Sequence, residues 1–158
     1  MNLQKGILDY EDYFERGKIH FYNKNFKEAK YDFSEFIIRS ERIRKVASCK
    51  NIRSVYKEKA HFFRAISNFY LSDFNDQNGF FYDQKYLQVS TEKLLPFYDT
   101  FLLVLWLTNH GNAHKEFETA IKTISDCLIF NPKALNDFSD FLRYLPLEFQ
   151  VIFKMYFY

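Results

Sequence analysis

Four glycines and three prolines among 158 residues leave this chain short of the material from which tight turns are built. An all-β architecture needs many such turns, so the scarcity argues against one. Only two cysteines occur, Cys49 and Cys127, far apart and in no metal-binding spacing. They read as ordinary buried thiols of a reducing compartment. Neither sign of charge dominates: 22 Lys and Arg against 20 Asp and Glu give a net charge of +2. No global field therefore points to nucleic acid. Long apolar runs are missing as well. The most apolar stretch, Phe101 to Leu107, falls far short of the roughly 20 residues that cross a bilayer. Met1 to Asp9 holds one lysine and no apolar run, so no signal peptide is read there. A cytoplasmic location is expected by elimination, with no membrane contact.

What the chain does have is apolar and aromatic. A hydrophobic fraction of 47% with 27% charged residues is that of a globular protein, too apolar for disorder. The length suffices for one domain with a full core. Twenty Phe and twelve Tyr are an unusual number. A genome rich in A and T would supply that bias, since Asn and Lys are frequent too, and it does not keep the rings from being used.

The rings recur in a pattern. Phe14-Glu15-Arg16-Gly17-Lys18-Ile19-His20-Phe21-Tyr22 matches Phe62-Phe63-Arg64-Ala65-Ile66-Ser67-Asn68-Phe69-Tyr70 in its Phe, its Arg, its small residue and its Phe-Tyr pair. The match resumes at Asn25-Phe26 against Asp73-Phe74. One copy reads as a helix hairpin. Tyr10, Tyr13, Phe14, Gly17 and Phe21 share one helical face. Asn23 to Asn25 is a polar break, and Asn25 with Glu28 three residues on has the form of a capping box. Phe26, Ala29, Phe33, Phe36 and Ile37 make a second apolar stripe. Gly17 and Ala29 are small where two helices must approach closely. Phe117, Ala120, Ile124, Cys127 and Leu128 repeat that second stripe, and Asn131-Pro132 ends it. Phe97 to Leu107 supplies the preceding helix, with Pro96 in its first turn, and Thr108 to Asn112 is the turn between the two.

Tyr13-Phe14-x-Arg16-Gly17, then Asn25-Phe26-x-Glu28-Ala29, then Asp32-Phe33 resembles one tetratricopeptide repeat, of the variety with Arg-Gly in its first helix and Asp-Phe in its second. The stretch from Phe117-x-x-Ala120 to Asn131-Pro132 is similar to the second half of such a repeat. The family period is about 34 residues, whereas Phe26, Phe74 and Phe117 stand 48 and 43 apart, so inserts must lie between repeats. The second copy lacks the alanine of the second helix; Asn75 to Phe81 reads as a loop and Asp83 to Leu94 as its second helix. The expected fold is therefore all-α: a short right-handed solenoid in one domain, residues 1–158. It divides into hairpins at 9–47, 54–94 and 95–131 and capping helices at 132–158, the last being Ala134 to Leu145 and Leu147 to Tyr156, split by Pro146. The resemblance also places Arg16 opposite Asp32 across the first hairpin.

No catalytic constellation appears. The chain has no Gly-rich phosphate loop, no nucleophile elbow and no CxxC pair, so neither an enzyme nor a cofactor is expected. His110 and His114 have ligand spacing, but Gly111-Asn112 intervenes and puts His110 in a turn, so no metal site is read. The carboxylates Asp9, Glu11, Asp12 and Glu15 suit a helix N-terminus. The family resemblance implies a concave surface lined by first-helix positions, here Phe14, Lys18, Phe21, Tyr22, Phe62, Ile66, Phe69, Tyr70, Leu105 and Asn109. Such an aromatic groove suits capture of a partner protein segment, which makes the chain an adaptor or scaffold. The alternative is the basic stretch 39–59, with Arg39, Arg42, Arg44, Lys45, Lys50 and Arg53 at its centre, as a patch for an acidic partner or nucleic acid. The apolar ending Met155-Tyr156-Phe157-Tyr158 packs back on the array or forms a homodimer contact.

Overall fold

Asp9 starts the first helix, its backbone N–H bonded to the Asp12 carboxylate, and Glu11 and Asp12 place negative charge in the first turn, where the helix dipole favours it. The computed structural model describes residues 9–47, 54–89, 97–110, 113–130 and 132–158, with the side chains of a few helical residues in these ranges left aside. Within them the chain is all-α, with eight helices: α1 (Tyr10–Tyr22), α2 (Phe26–Ala47), α3 (Ser54–Tyr70), α4 (Phe80–Val89), α5 (Phe97–His110), α6 (Ala113–Phe130), α7 (Ala134–Asp140) and α8 (Leu147–Phe157). None is long and apolar enough to cross a membrane. The chain divides into two compact units, Met1–Leu95 and Pro96–Tyr158.

In the first unit the helices pack in sequence: α1 on α2, α2 on α3, α3 on α4, with α1 also reaching α3. The small residues do what their size allows. A Cβ on Gly17 would lie 3.0 Å from Cε1 of Phe33 and 3.2 Å from Cβ of Asp32, and Ala29 is fully buried. The sequence repeat continues through the turns that follow α1 and α3. Lys24 and Ser72 are the two non-glycine residues with positive φ among those described, at 63° and 58°. Lys24 N–H donates to Phe21 and Asn25 N–H to His20; Ser72 donates to Phe69 and Asp73 to Asn68 in the same pattern. Each bond satisfies a carbonyl that the helix end leaves free.

The copies part company after that turn. Residues 23–25 close the first hairpin, whereas residues 71–79 close the second. The longer loop is ordered by backbone bonds from Phe80 to Asp73 and from Phe81 to Phe74. The expected second helix at Asp83 to Leu94 is corrected here. It begins at Phe80, because Phe80, Asp83 and Leu87 form its buried stripe; residues 90–94 lie outside those described. Phe74, the counterpart of Phe26, sits in the loop, its ring against Phe69 and Phe80 at 6.0 and 6.4 Å.

The core of this unit centres on Phe63. Its ring lies 4.8 Å from Phe21, 5.4 Å from Phe33 and 6.5 Å from Phe14, joining three helices. In the second unit α5 packs on α6, and both touch α7. Phe117, Ala120 and Ile124 are buried as the repeated stripe requires; the side chain of Cys127 is not among those described, nor is Cys49. α5 runs on to His110, so Thr108 is helical and not a turn, its hydroxyl bonded back to the carbonyl of Val104 at 2.9 Å. The helix expected from Ala134 to Leu145 stops at Asp140 and is followed by a 3-10 turn, Leu142–Tyr144. Leu145 is extended, at φ −97° and ψ 159°, as a residue before proline prefers, and Pro146 then leads into α8.

Phe63→Ala removes the ring shared by three helices and is expected to cost about 3–5 kcal/mol of unfolding free energy in a urea titration. Tyr31→Ala, at an exposed position of α2, is expected to stay within about 0.5 kcal/mol of the parent.

Candidate functional site

The ten residues expected to line a groove divide by burial. Phe14, Phe21, Phe62, Ile66, Phe69 and Leu105 are buried, which corrects their placement on an open surface. α1 presses on its own partner α2 and on α3 of the next hairpin, so two of its sides are apolar and neither faces water. Phe14 contacts Phe33, Phe36, Tyr56 and Phe63. Phe69 packs on Phe80 at 5.5 Å. These rings are core.

Four of the ten reach the surface. Tyr22 and Tyr70 hold the same position in successive first helices, and they are 47% and 42% exposed. Phe26 joins them, half-buried and stacked on Tyr70 at 5.1 Å with the planes 13° apart. Phe21 lies beneath, 5.4 Å from Tyr22 and 5.9 Å from Phe26. The result is a small aromatic platform with a rigid floor. Lys18, one turn back on α1, pairs with Glu15 at 3.2 Å and lies over the Phe14 ring. Asn109 is exposed at the end of α5, its amide donating to the carbonyl of Leu105 at 2.8 Å.

Arg16 meets Asp32 as expected, through two bonds of 2.8 and 2.6 Å, Nε to Oδ2 and Nη2 to Oδ1. The bond to Asp32 raises the guanidinium pKa further, against the smaller opposing effect of burial. The second hairpin repeats the device. Arg64 binds Asp83 through Nε at 2.8 Å and Nη2 at 2.7 Å. The signal for this pair was in the sequence: Tyr82-Asp83 repeats Tyr31-Asp32, displaced by the longer loop. The two pairs differ in solvent. The Arg16 side chain is 30% exposed, that of Arg64 only 2%.

His61 joins the second pair and had not drawn notice as a functional residue. Its Nδ1 lies 2.6 Å from Oδ1 of Asp83, and its ring stacks on Tyr86 with centroids 3.7 Å apart. A carboxylate can only accept here, so Nδ1 carries the proton and Nε2 is left as the acceptor. Nε2 is buried and has no hydrogen-bond partner. Burial lowers the His61 pKa, outweighing the opposing bond to Asp83.

The remaining candidates separate readily. Arg39 is bound to Glu35 at 3.0 Å and lies over the Tyr13 ring, and Lys57 reaches Glu41 at 2.8 Å. Arg42 is exposed. Arg44 and Lys45 lie on α2 with side chains not described, and Lys50 and Arg53 lie outside the described residues. His110 belongs to the last turn of α5, not to a turn between helices, and stacks on Trp106 at 3.7 Å. Among the described residues no cluster of three or more His, Cys, Asp or Glu could hold a metal ion. On α8 Phe149 and Phe153 are buried, while Leu147, Val151, Met155 and Tyr156 are exposed. A groove of about 500 Å³ between α6 and α8 is lined by Phe117, Ile121, Ile152 and Met155. No family model, curated protein or solved structure matches this chain.

The solvent difference between the two ion pairs sets an order of stability. Asp83→Ala strands a buried guanidinium and is expected to cost about 3–5 kcal/mol. Asp32→Ala is expected to cost less, because Arg16 can turn to water, yet several times more than Asp12→Ala. Melting temperatures of the three variants test that order.

Proposed function

We propose that this chain is a protein-interaction module, an adaptor or scaffold, and that hairpins α1–α2 and α3–α4 act as successive repeats of a short right-handed solenoid resembling tetratricopeptide repeats. A segment of another protein docks on the platform of Tyr22, Phe26 and Tyr70, with Lys18 beside it. The observation that carries this reading is the equivalence of Tyr22 and Tyr70: two hairpins built alike present the same ring at the surface, and Phe26 stacks on the second of them. Tyrosine suits such a site. It offers a large, rigid contact area and a hydroxyl that stays usable at the rim. A short amphipathic helix, or an extended apolar segment, with side chains spaced to meet both rings is the partner this surface fits. The basic stretch is the less favoured surface, since Arg39 and Lys57 already hold carboxylates.

Two experiments test the reading. Affinity capture from the native host, run with the parent and with Tyr22→Ala/Tyr70→Ala, is expected to retain a partner only with the parent. The double variant should melt within a few degrees of it, because both rings are already partly in water, and should bind more weakly by roughly 2 kcal/mol or more. A stable double variant that keeps the partner overturns the assignment. The second experiment concerns self-association. The exposed side chains Leu147, Val151 and Met155 on α8 support a homodimer contact, and Val151→Lys is expected to shift sedimentation equilibrium toward monomer. A parent chain that is monomeric at its highest soluble concentration removes that contact.

A further inference from the structure

α4 meets α3 through Phe80 on Phe69, Tyr86 on His61 and one ionic cluster. α4 is ten residues long and buries Phe80, Asp83 and Leu87. Asp83, the middle one, is gripped from α3 by Arg64 and His61 together. Arg64 spends its other contacts on Ser34 of α2 at 3.1 Å and the side chain of Asn78 at 3.5 Å. The charged surroundings of His61 are Lys57, Glu58 and Arg64 on its own helix and Asp83 on α4, with Tyr82 and Tyr86 beside it. α2 contributes Glu41, bonded to Lys57. α1 turns aromatic rings toward α3, with Phe14 and Phe21 on Phe63. The decisive feature is His61 Nε2, sealed from water without a partner.

We propose that His61 is an acid-sensitive latch: its protonation at Nε2 places a buried N–H without an acceptor between α3 and α4, and α4 lets go of α3. A neutral ring with Nδ1 donating to Asp83 fits the closed hairpin. A doubly protonated ring must find an acceptor for its second N–H, and water supplies one only when the hairpin opens. The closed state therefore refuses a proton that the open state accepts. Stability of the contact is complete above the ordinary imidazole value near 6.5 and is lost as pH falls below it. α4 is the element that yields, because it is short and rests on three buried residues.

Hydrogen exchange of the full chain tests the latch. After correction for the intrinsic pH dependence of exchange, one-proton linkage makes opening of α4 more populated at pH 5.5 than at pH 7.5, by up to about ten-fold. Amides of 84–89 should lose protection by that factor, while those of α2 should not. His61→Asn, whose Nδ2 takes the place of Nδ1 and can still donate to Asp83 but does not titrate, should abolish the difference, and His20→Gln should leave it intact. Protection of α4 that is unchanged with pH in the parent, or a pH dependence that survives His61→Asn, overturns the proposal. Should His61→Asn fail to fold, the parent decides by NMR of labelled histidine. Protonation of His61 at Nε2 must coincide with loss of α4 protection, and a ring that titrates normally inside a closed hairpin overturns it.

Discussion

A guanidinium on the first helix holding a carboxylate on the second is the constraint around which residues 9–89 are arranged. The bond is bidentate in both hairpins, and a planar fork meeting a planar carboxylate tolerates little sliding or rotation. It therefore fixes the register of each helix pair. That register brings Gly17 against Phe33 and Asp32, and it aims Phe14, Phe21 and Phe33 at Phe63 of the next hairpin. An ion pair of this kind is weak as a source of stability once desolvation is counted. Its value lies in selecting one packing among the many that the phenylalanines of this unit would otherwise allow. Rings are interchangeable greasy volumes to a first approximation, and an Arg–Asp fork is not.

That logic explains what was legible in the sequence. The helical stripes could be read because 3.6-residue periodicity records burial directly. The Arg16–Asp32 pair could be read because both residues lie in one unbroken stretch whose resemblance to a repeat pattern set the two opposite each other. Asp83 escaped because nine residues, not three, close its hairpin, and a length change inside a loop shifts every later landmark. Six of the ten groove residues were misplaced for a different reason. α1 is apolar toward α2 and toward α3, and periodicity shows only that a side chain avoids water. It does not say which neighbour excludes the water. Phe21 and Tyr22 are adjacent in sequence and thus about 100° apart around the helix; the first is buried and the second half exposed. Only the placement of the neighbouring hairpin separates them.

The recurrence also bears on how such a chain could come to present a partner surface. When two hairpins share a turn, down to the left-handed residue and its hydrogen bonds, their equivalent residues emerge at equivalent places. Tyr22 and Tyr70 end the first helices immediately before those turns. Their positions are set by backbone bonds and by ring contacts, Tyr22 on Phe21 and Tyr70 on Phe26. Rings held this way lose little freedom on binding, which favours affinity from a small area.

The two copies of the Arg–Asp fork then differ in one variable, water. In the first hairpin the fork opens onto a surface cleft shared by His20, Lys27 and Tyr31. Charge there is screened and replaceable, and His20 stands 3.9 Å from Asp32, beyond hydrogen-bond reach. In the second hairpin the fork is enclosed and His61 has been drawn to 2.6 Å. Inside a medium of low polarizability the same charges interact more strongly, and every proton must be accounted for by a specific partner. A sequence motif used twice has thus become two different physical objects. The open copy sets register, with its guanidinium side in reach of water. In the closed copy, on the reading proposed above, the placement of α4 depends on the protonation state of one imidazole, because the groups around it are sealed from solvent.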